Sequence, residues 1–129
     1  MPKLSKHPIH LGLGAKAHVL PEFTGEMAWY GTYAQSTASD GAEGRLVTEH
    51  RFTEPWSMWE MHPVGDEVVL VTQGELVLVQ ELPEGESRIA LKAGEYAINP
   101  AGVWHTADAE GSVTALFITA GMGTEHRGR

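Results

Sequence analysis

Short apolar or β-branched runs, separated at close intervals by glycine and proline, are the feature that most constrains this fold. The chain has 15 glycines and 7 prolines among 129 residues. The runs cover residues 46–52, 56–62, 67–72, 76–81, 88–91, 96–98, 103–107 and 113–119. Short strands with turn residues at this spacing are typical of a sandwich or a barrel. No window carries a sustained helical repeat of apolar residues, so we predict an all-β domain.

Two of these runs each contain four consecutive apolar residues. They read VVLV at 68–71 and LVLV at 76–79. Strands covered on both faces have this composition. We expect a barrel interior on one face and a second layer or a second subunit on the other. The segment LPEGE at 82–86 predicts a hairpin loop, and Gly74 marks a turn between two strands.

The length fits one domain over residues 1–129. We divide it into an N-terminal extension and loop, residues 1–45, and a barrel core, residues 46–120. Residues 34–44 are small and polar and predict an exposed loop. An aromatic segment before it should pack on the barrel or across a dimer interface: Phe23, Met27, Trp29, Tyr30 and Tyr33. We predict that His7, His10 and His18 lie at the surface.

Composition excludes several classes of function. There is no cysteine, which removes disulfides, thiolate metal sites and cysteine catalysis. A net charge of −8 argues against a nucleic-acid partner, which requires clustered lysine and arginine. No stretch approaches the roughly 20 apolar residues that span a bilayer, and the first residues do not resemble a signal peptide. We therefore expect a cytoplasmic protein with no membrane contact.

One turn gathers several metal-binding side chains. Glu60 and His62 alternate with apolar residues, so they share one face of a strand. A four-residue turn follows, and Glu67 opens the next strand, where it can lie opposite His62. His105 follows a second turn and can add an imidazole. Imidazole nitrogen and carboxylate oxygen suit a divalent cation such as Fe, Mn, Ni or Zn.

The spacing of these residues resembles the two sequence motifs of the cupin superfamily. In the first motif His62 takes the place of the second histidine, with Glu67 and Gly74 at the following positions. Four residues match the second motif: Gly94, Pro100, Gly102 and His105. The resemblance covers about residues 45–120. Two positions depart from the pattern, because Glu60 stands where the first histidine is expected and Ala109 where the asparagine is expected.

The resemblance implies a double-stranded β-helix, the cupin or jelly-roll barrel, with a metal in its mouth. It implies metal ligands at His62, Glu67 and His105. Glu60 leaves two alternatives open. It can be a fourth ligand, which would favour manganese, iron(II) or nickel over a purely imidazole site. Otherwise it stands beside the metal as a catalytic general base.

The pocket for a small molecule is predicted from the alternation of strand residues. We expect the lining to include Met58, Tyr96, Ile98, Val103 and Leu116. A slip of one residue would exchange the faces and replace Leu116 with Phe117. His50 is a further candidate for the cavity. Such a lining is largely apolar, which fits a small and partly apolar ligand.

Three functions are consistent with these residues. The first is a metal-dependent enzyme, of dioxygenase or isomerase type, acting on a small oxygen-bearing organic molecule. The second is a non-catalytic binding or sensor protein, and the third is a barrel without metal. We predict a homodimer. Some strands are apolar on both faces, the N-terminal segment is aromatic, and the resemblance to a family whose members commonly form dimers implies the same.

Overall fold

The computed structural model describes all residues from 1 to 129. It contains eleven strands, one α-helix and one 3-10 helix, residues Ala38–Glu43. The bounds of the other elements are β1 (Ile9–Gly12), β2 (Lys16–Val19), α1 (Met27–Ser36), β3 (Arg45–Phe52), β4 (Met58–Met61), β5 (Glu67–Gln73), β6 (Glu75–Leu82), β7 (Gly85–Lys92), β8 (Tyr96–Asn99), β9 (Trp104–Ala109), β10 (Val113–Thr119) and β11 (Glu125–Gly128). The all-β prediction is confirmed.

The strands form two antiparallel sheets. The first has six strands in the order β2-β1-β3-β10-β5-β8, and the second has five in the order β11-β4-β9-β6-β7. One buried cluster draws residues from both sheets, including Val69 and Phe117 from the first and Leu76 and Leu78 from the second. The sheets therefore pack face to face in a jelly roll, as predicted.

Alternation within each strand builds this core. In β10 the side chains of Val113, Ala115 and Phe117 are buried, and the residues between them are only half-buried. In β5 and β6 Val69, Val71, Leu76 and Leu78 on one face are buried, whereas Val68, Leu70 and Val77 on the other face are partly accessible. This single chain therefore leaves the outer face of the two apolar runs partly open to solvent.

Tight turns connect the core strands. Leu82 pairs with Gly85, which leaves Pro83 and Glu84 as a two-residue hairpin loop inside the predicted segment. Gly74 joins β5 to β6 with φ at 81°, a conformation that favours glycine. A Cβ atom there would also overlap the carbonyl oxygen of Ser112. The predicted turns at 82–86 and Gly74 are both present.

The N-terminal extension is more ordered than its sequence indicates. Strand β1 pairs with β3 and so extends the first sheet, and α1 was not predicted. None of the residues of α1 is buried, which explains why the helix lacks a clear apolar repeat. The predicted loop at 34–44 is exposed but largely helical. Neither helix has the length and apolar composition required to cross a membrane.

Candidate metal centre

Strand pairing places Glu60 beside His105. Glu60 on β4 lies directly opposite His105 on β9. The side chain of His105 is fully buried and that of Glu60 is 30% exposed, with Oε1 at 3.7 Å from Nε2 of His105. A buried imidazole thus faces a carboxylate that reaches the cavity.

The contact between His62 and Glu67 forms in a different way from the one predicted. Glu67 belongs to the first sheet, where it pairs with Thr119 and Asn99, whereas His62 follows β4 of the second sheet. The two residues are therefore not opposite each other in a hairpin. Their side chains meet between the sheets, with Nε2 of His62 at 3.1 Å from Oε2 of Glu67. Glu67 Oε1 lies 3.3 Å from Nε2 of His105, so this carboxylate contacts both imidazoles.

Hydrogen bonds fix the orientation of the Glu67 carboxylate. Asn99 Nδ2 donates to Oε1 at 3.0 Å, and the hydroxyl of Thr119 donates to Oε2 at 2.6 Å. Gln80 Nε2 in turn donates to the side-chain oxygen of Asn99 at 2.8 Å. A buried carboxylate is costly unless it is satisfied in this way. The sequence pattern indicated none of these three supporting residues.

The carboxylates and imidazoles shift each other's protonation. Burial alone would lower the pKa of His105, but Glu60 and Glu67 outweigh it and raise the pKa to about 9. Burial alone would raise the pKa of Glu67, but the imidazoles of His105 and His62 hold it well below its usual range. Contact with His105 likewise lowers the pKa of Glu60 against the effect of burial. Without a metal ion, a proton on His105 therefore offsets part of the negative charge of the two carboxylates.

Two buried imidazole nitrogen atoms lack a hydrogen-bond partner. They are the Nε2 atoms of His62 and His105. Thr124 donates its hydroxyl proton to Gly121, so its oxygen accepts the proton on Nδ1 of His62 at 2.8 Å. Nε2 of His62 then carries a free lone pair, as a metal ligand requires. Buried polar atoms are rarely left without a partner, so this arrangement fits a bound cation.

Three residues offer ligand atoms that lie within 4.8 Å of one another: Glu60, His62 and His105. They could hold a metal ion. Glu67 lies outside this set but is within 3.3 Å of both imidazoles, so it can supply a further oxygen. Mixed nitrogen and oxygen donors suit Fe, Mn, Ni or Zn. The four residues predicted from the sequence are thus brought together.

His126 is a site residue that the sequence reasoning missed. Strand β11 pairs with β4 and places His126 opposite Glu60. Its Nε2 lies 3.0 Å from Oε2 of Glu60, the carboxylate oxygen that does not face His105. The guanidinium of Arg127 lies over the rings of Trp59 and Trp104, at 5.2 and 4.5 Å from the two centroids. The only sequence signal was the small basic group at the end of the chain.

A cavity of about 1070 Å³ opens onto these residues, and Glu60, His62 and Glu67 are part of its wall. Of the predicted lining, Met58 is present, and so is the further candidate His50. Four predicted lining residues do not border the cavity: Tyr96, Ile98, Val103 and Leu116.

A register shift of one residue explains most of this difference. In β10 the buried face carries Phe117, which lines the cavity, and Leu116 lies on the half-buried face. In β8 it is Asn99 that is buried, whereas Tyr96 and Ile98 are 66% and 48% exposed. Because side chains alternate along a strand, a slip of one position exchanges the two faces.

His10 also differs from its prediction. It is 2% exposed, and not at the surface. Its Nε2 bonds Oδ2 of Asp40 at 2.7 Å, and its Nδ1 bonds the hydroxyl of Tyr33 at 2.8 Å. His10 and Tyr33 line the far end of the same cavity. The predicted aromatic segment thus packs against the barrel, with α1 beside the opening.

A family model matches more than half of this chain. The model is described as the cupin domain, and it matches residues 48–121. That range includes every residue of the candidate metal centre except Thr124 and His126. No curated protein matches this chain in sequence.

Several solved structures share the fold. A cupin-2 domain protein from Shewanella frigidimarina has 25% sequence identity and a TM-score of 0.51, over 58% of this chain and 69% of that one. Hydroquinone 1,2-dioxygenase from Sphingomonas sp. TTNP3 has 24% identity and a TM-score of 0.50, over 58% and 59%. An oxalate oxidase has 18% identity and a TM-score of 0.54, over 62% and 44%. This chain therefore spans about half the length of those two enzymes, and the likeness to them is one of fold.

Proposed function

This chain belongs to the cupin family, and we propose that it is a metal-dependent enzyme, of dioxygenase or isomerase type, acting on a small oxygen-bearing organic molecule. One observation carries the proposal. The Nε2 atoms of His62 and His105 are buried without hydrogen-bond partners next to two carboxylates, and Glu60, His62 and Glu67 border a large cavity. A fold of this kind hosts many activities, so the proposal depends on the site and not on the family alone.

Glu60, His62 and His105 would hold the cation, with Glu67 as a further oxygen donor. A divalent cation at this position would polarise a substrate oxygen and lower its pKa. Two carboxylates make the donor set harder than one of imidazoles only. This composition favours manganese, iron(II) or nickel more than a purely imidazole site would, and zinc also suits such donors.

Glu67 and Glu60 differ in exposure and hydrogen bonding, which supports separate roles for them. Glu67 is 4% exposed, and both of its oxygens accept hydrogen bonds from Asn99 or Thr119, so it is held rigidly. Glu60 is 30% exposed and contacts His126, which is 48% exposed. Glu60 can therefore use Oε1 at the metal while Oε2 remains next to His126. In the alternative role, Glu60 accepts a proton from the substrate as a general base.

Turnover by the metal-loaded protein tests this proposal. Protein reconstituted separately with iron(II), manganese, nickel and zinc would be incubated with enols, diketones and hydroxylated aromatics. Dioxygen uptake and proton NMR would detect oxidation and isomerisation, respectively. We expect turnover with at least one metal and its loss in Glu60→Gln, because the amide can neither bind the metal as an anion nor accept a proton.

Glu54→Gln is the matched control. Glu54 lines the same cavity but makes no ion pair with either imidazole, so this variant should retain turnover. Measuring bound metal in Glu60→Gln separates the two roles of Glu60. If Glu60→Gln loses the metal, Glu60 is a ligand. If Glu60→Gln keeps the metal but loses turnover, Glu60 is the general base. Ligand binding without turnover under any metal would contradict the enzyme and favour a sensor or binding protein.

A further inference from the structure

Aromatic rings form the wall of the cavity next to the candidate metal centre. Phe52, Trp56, Phe117 and His50 all border the cavity. Their rings contact one another, with centroids 5.4 Å apart for Phe52 and Trp56 and 5.7 Å apart for His50 and Phe117. Trp56 also lies 6.3 Å from the ring of His105. Edge and tilted ring contacts of this kind stabilise a flat aromatic guest.

The cavity offers no fixed positive charge. No lysine or arginine borders it, and three carboxylates do: Glu54, Glu60 and Glu67. A divalent cation bound there would have its two positive charges balanced by Glu60 and Glu67. A carboxylate or phosphate group on a ligand would therefore enter an aromatic cavity without a counter-charge, which is unfavourable.

Trp56 supplies a donor that the protein leaves unused. Its Nε1 atom is buried and has no hydrogen-bond partner. The indole ring borders the cavity, and a buried indole N–H usually finds an acceptor. An oxygen atom of a ligand packed against this ring would satisfy the donor once the side chain shifts to expose it.

From these three observations we infer that the cavity binds a neutral aromatic molecule carrying a hydroxyl or carbonyl oxygen. The aromatic wall packs against the ring, Trp56 donates to an oxygen, and the balanced charge of the site rejects anionic analogues. This inference rests on the proposed function for its account of the metal-loaded site, but the aromatic wall and Trp56 act in the metal-free protein as well.

Two probes of matched shape test the inference. 4-Hydroxyacetophenone is neutral, and 4-hydroxybenzoate replaces its methyl ketone with a carboxylate. Isothermal titration calorimetry would measure both on metal-free and zinc-loaded protein, at a pH where the phenol keeps its proton. We expect the ketone to bind at least about tenfold more tightly in both forms. Equal or tighter binding of the carboxylate, or no binding of either probe, would overturn the inference.

Two substitutions of the exposed residue Met122 test the argument about charge. Met122 borders the cavity and is 50% exposed, so replacing it should not disturb the core. Met122→Arg adds the missing positive charge and should tighten binding of 4-hydroxybenzoate about tenfold, whereas Met122→Gln should not. An unchanged preference in Met122→Arg would contradict the charge argument.

Trp56→Phe tests the donor, because it keeps an aromatic ring and removes the N–H. Binding of the ketone should weaken about fivefold to tenfold. Trp104→Phe is the control, since Trp104 contacts Arg127 and does not border the cavity. Equal losses in both variants would overturn the role of Trp56. If the ketone binds as expected but no metal does, the ligand class stands and the proposed enzyme fails.

Discussion

At the scale of single residues, His105 lies in a strongly altered environment. In the metal-free protein Glu60 and Glu67 raise its pKa from 6.5 to about 9, although burial opposes them. Its protonated form contributes stability that is fully present below pH 6.5 and is lost as the pH rises through about 9. Glu67 acts in the opposite sense. Its lowered pKa contributes stability above pH 4.5 that is lost as the pH falls through its folded-state pKa.

We therefore predict that the melting temperature of the metal-free protein falls between pH 6.5 and 9. Differential scanning fluorimetry in the presence of a chelator would measure it. In His105→Gln most of this fall should disappear, because glutamine does not titrate. A melting temperature that is flat across this range in the wild type would show that His105 is not protonated by its carboxylate neighbours.

Spacing within the two motifs predicted that Glu60, His62, Glu67 and His105 converge, and their side chains do lie together. Their role as metal ligands stays a prediction. The sequence could not predict His126, Thr119 or Asn99. These residues lie on strands that are distant in sequence from the motif. Whether their side chains contact the site depends on how the strands pair across the sheet. Sequence reasoning also misassigned His10, whose partners Tyr33 and Asp40 are 23 and 30 residues away.

Among the elements, α1 depends most on a few contacts, because none of its residues is buried. Tyr33 connects α1 to β1 by a hydrogen bond, in which its hydroxyl donates to His10. His10 in turn donates to Asp40. Burial raises the pKa of Tyr33 to about 12, so the phenol keeps its proton. The helix is therefore anchored by this chain of hydrogen bonds, by the bond from Trp29 Nε1 to the carbonyl of Pro21 and by ring contacts with Phe23.

Removing the Tyr33 hydroxyl should loosen this helix. We predict that Tyr33→Phe costs about 1 kcal/mol locally and speeds amide exchange in residues 27–36, with little change in β5 and β10. Hydrogen exchange with mass spectrometry would measure this, and Tyr30→Phe is the control, since no hydrogen bond of the Tyr30 hydroxyl is present. Equal exchange in Tyr33→Phe and wild type would show that the other contacts alone hold α1.

The elements also show why register was harder to predict than strand position. The run at 113–119 matches β10 in full, because its β-branched residues and flanking turns define both ends. The short strand β8 has apolar residues on both faces, so alternation did not reveal that Tyr96 and Ile98 point outward. The helix α1 had no apolar repeat to reveal it.

At the scale of the whole molecule, the homodimer stays a prediction. Strand β8 is at one edge of the six-stranded sheet and exposes Tyr96 and Ile98, a surface suited to pairing with a second copy. Size-exclusion chromatography with light scattering should give twice the chain mass, and Ile98→Lys should shift it toward the monomer. The control is Val19→Lys, which alters an exposed residue on β2 at the opposite edge. A monomeric wild type would contradict the prediction.

Metal content tests most directly whether Glu60, His62, Glu67 and His105 hold a metal ion. Tag-free protein would be analysed by inductively coupled plasma mass spectrometry, as purified and after reconstitution with iron, manganese, nickel and zinc. We predict about one ion per chain in the wild type and loss of that ion in His62→Ala and His105→Ala, while His18→Ala, an exposed histidine, retains it. A wild type that binds no ion under any of these conditions would contradict the account.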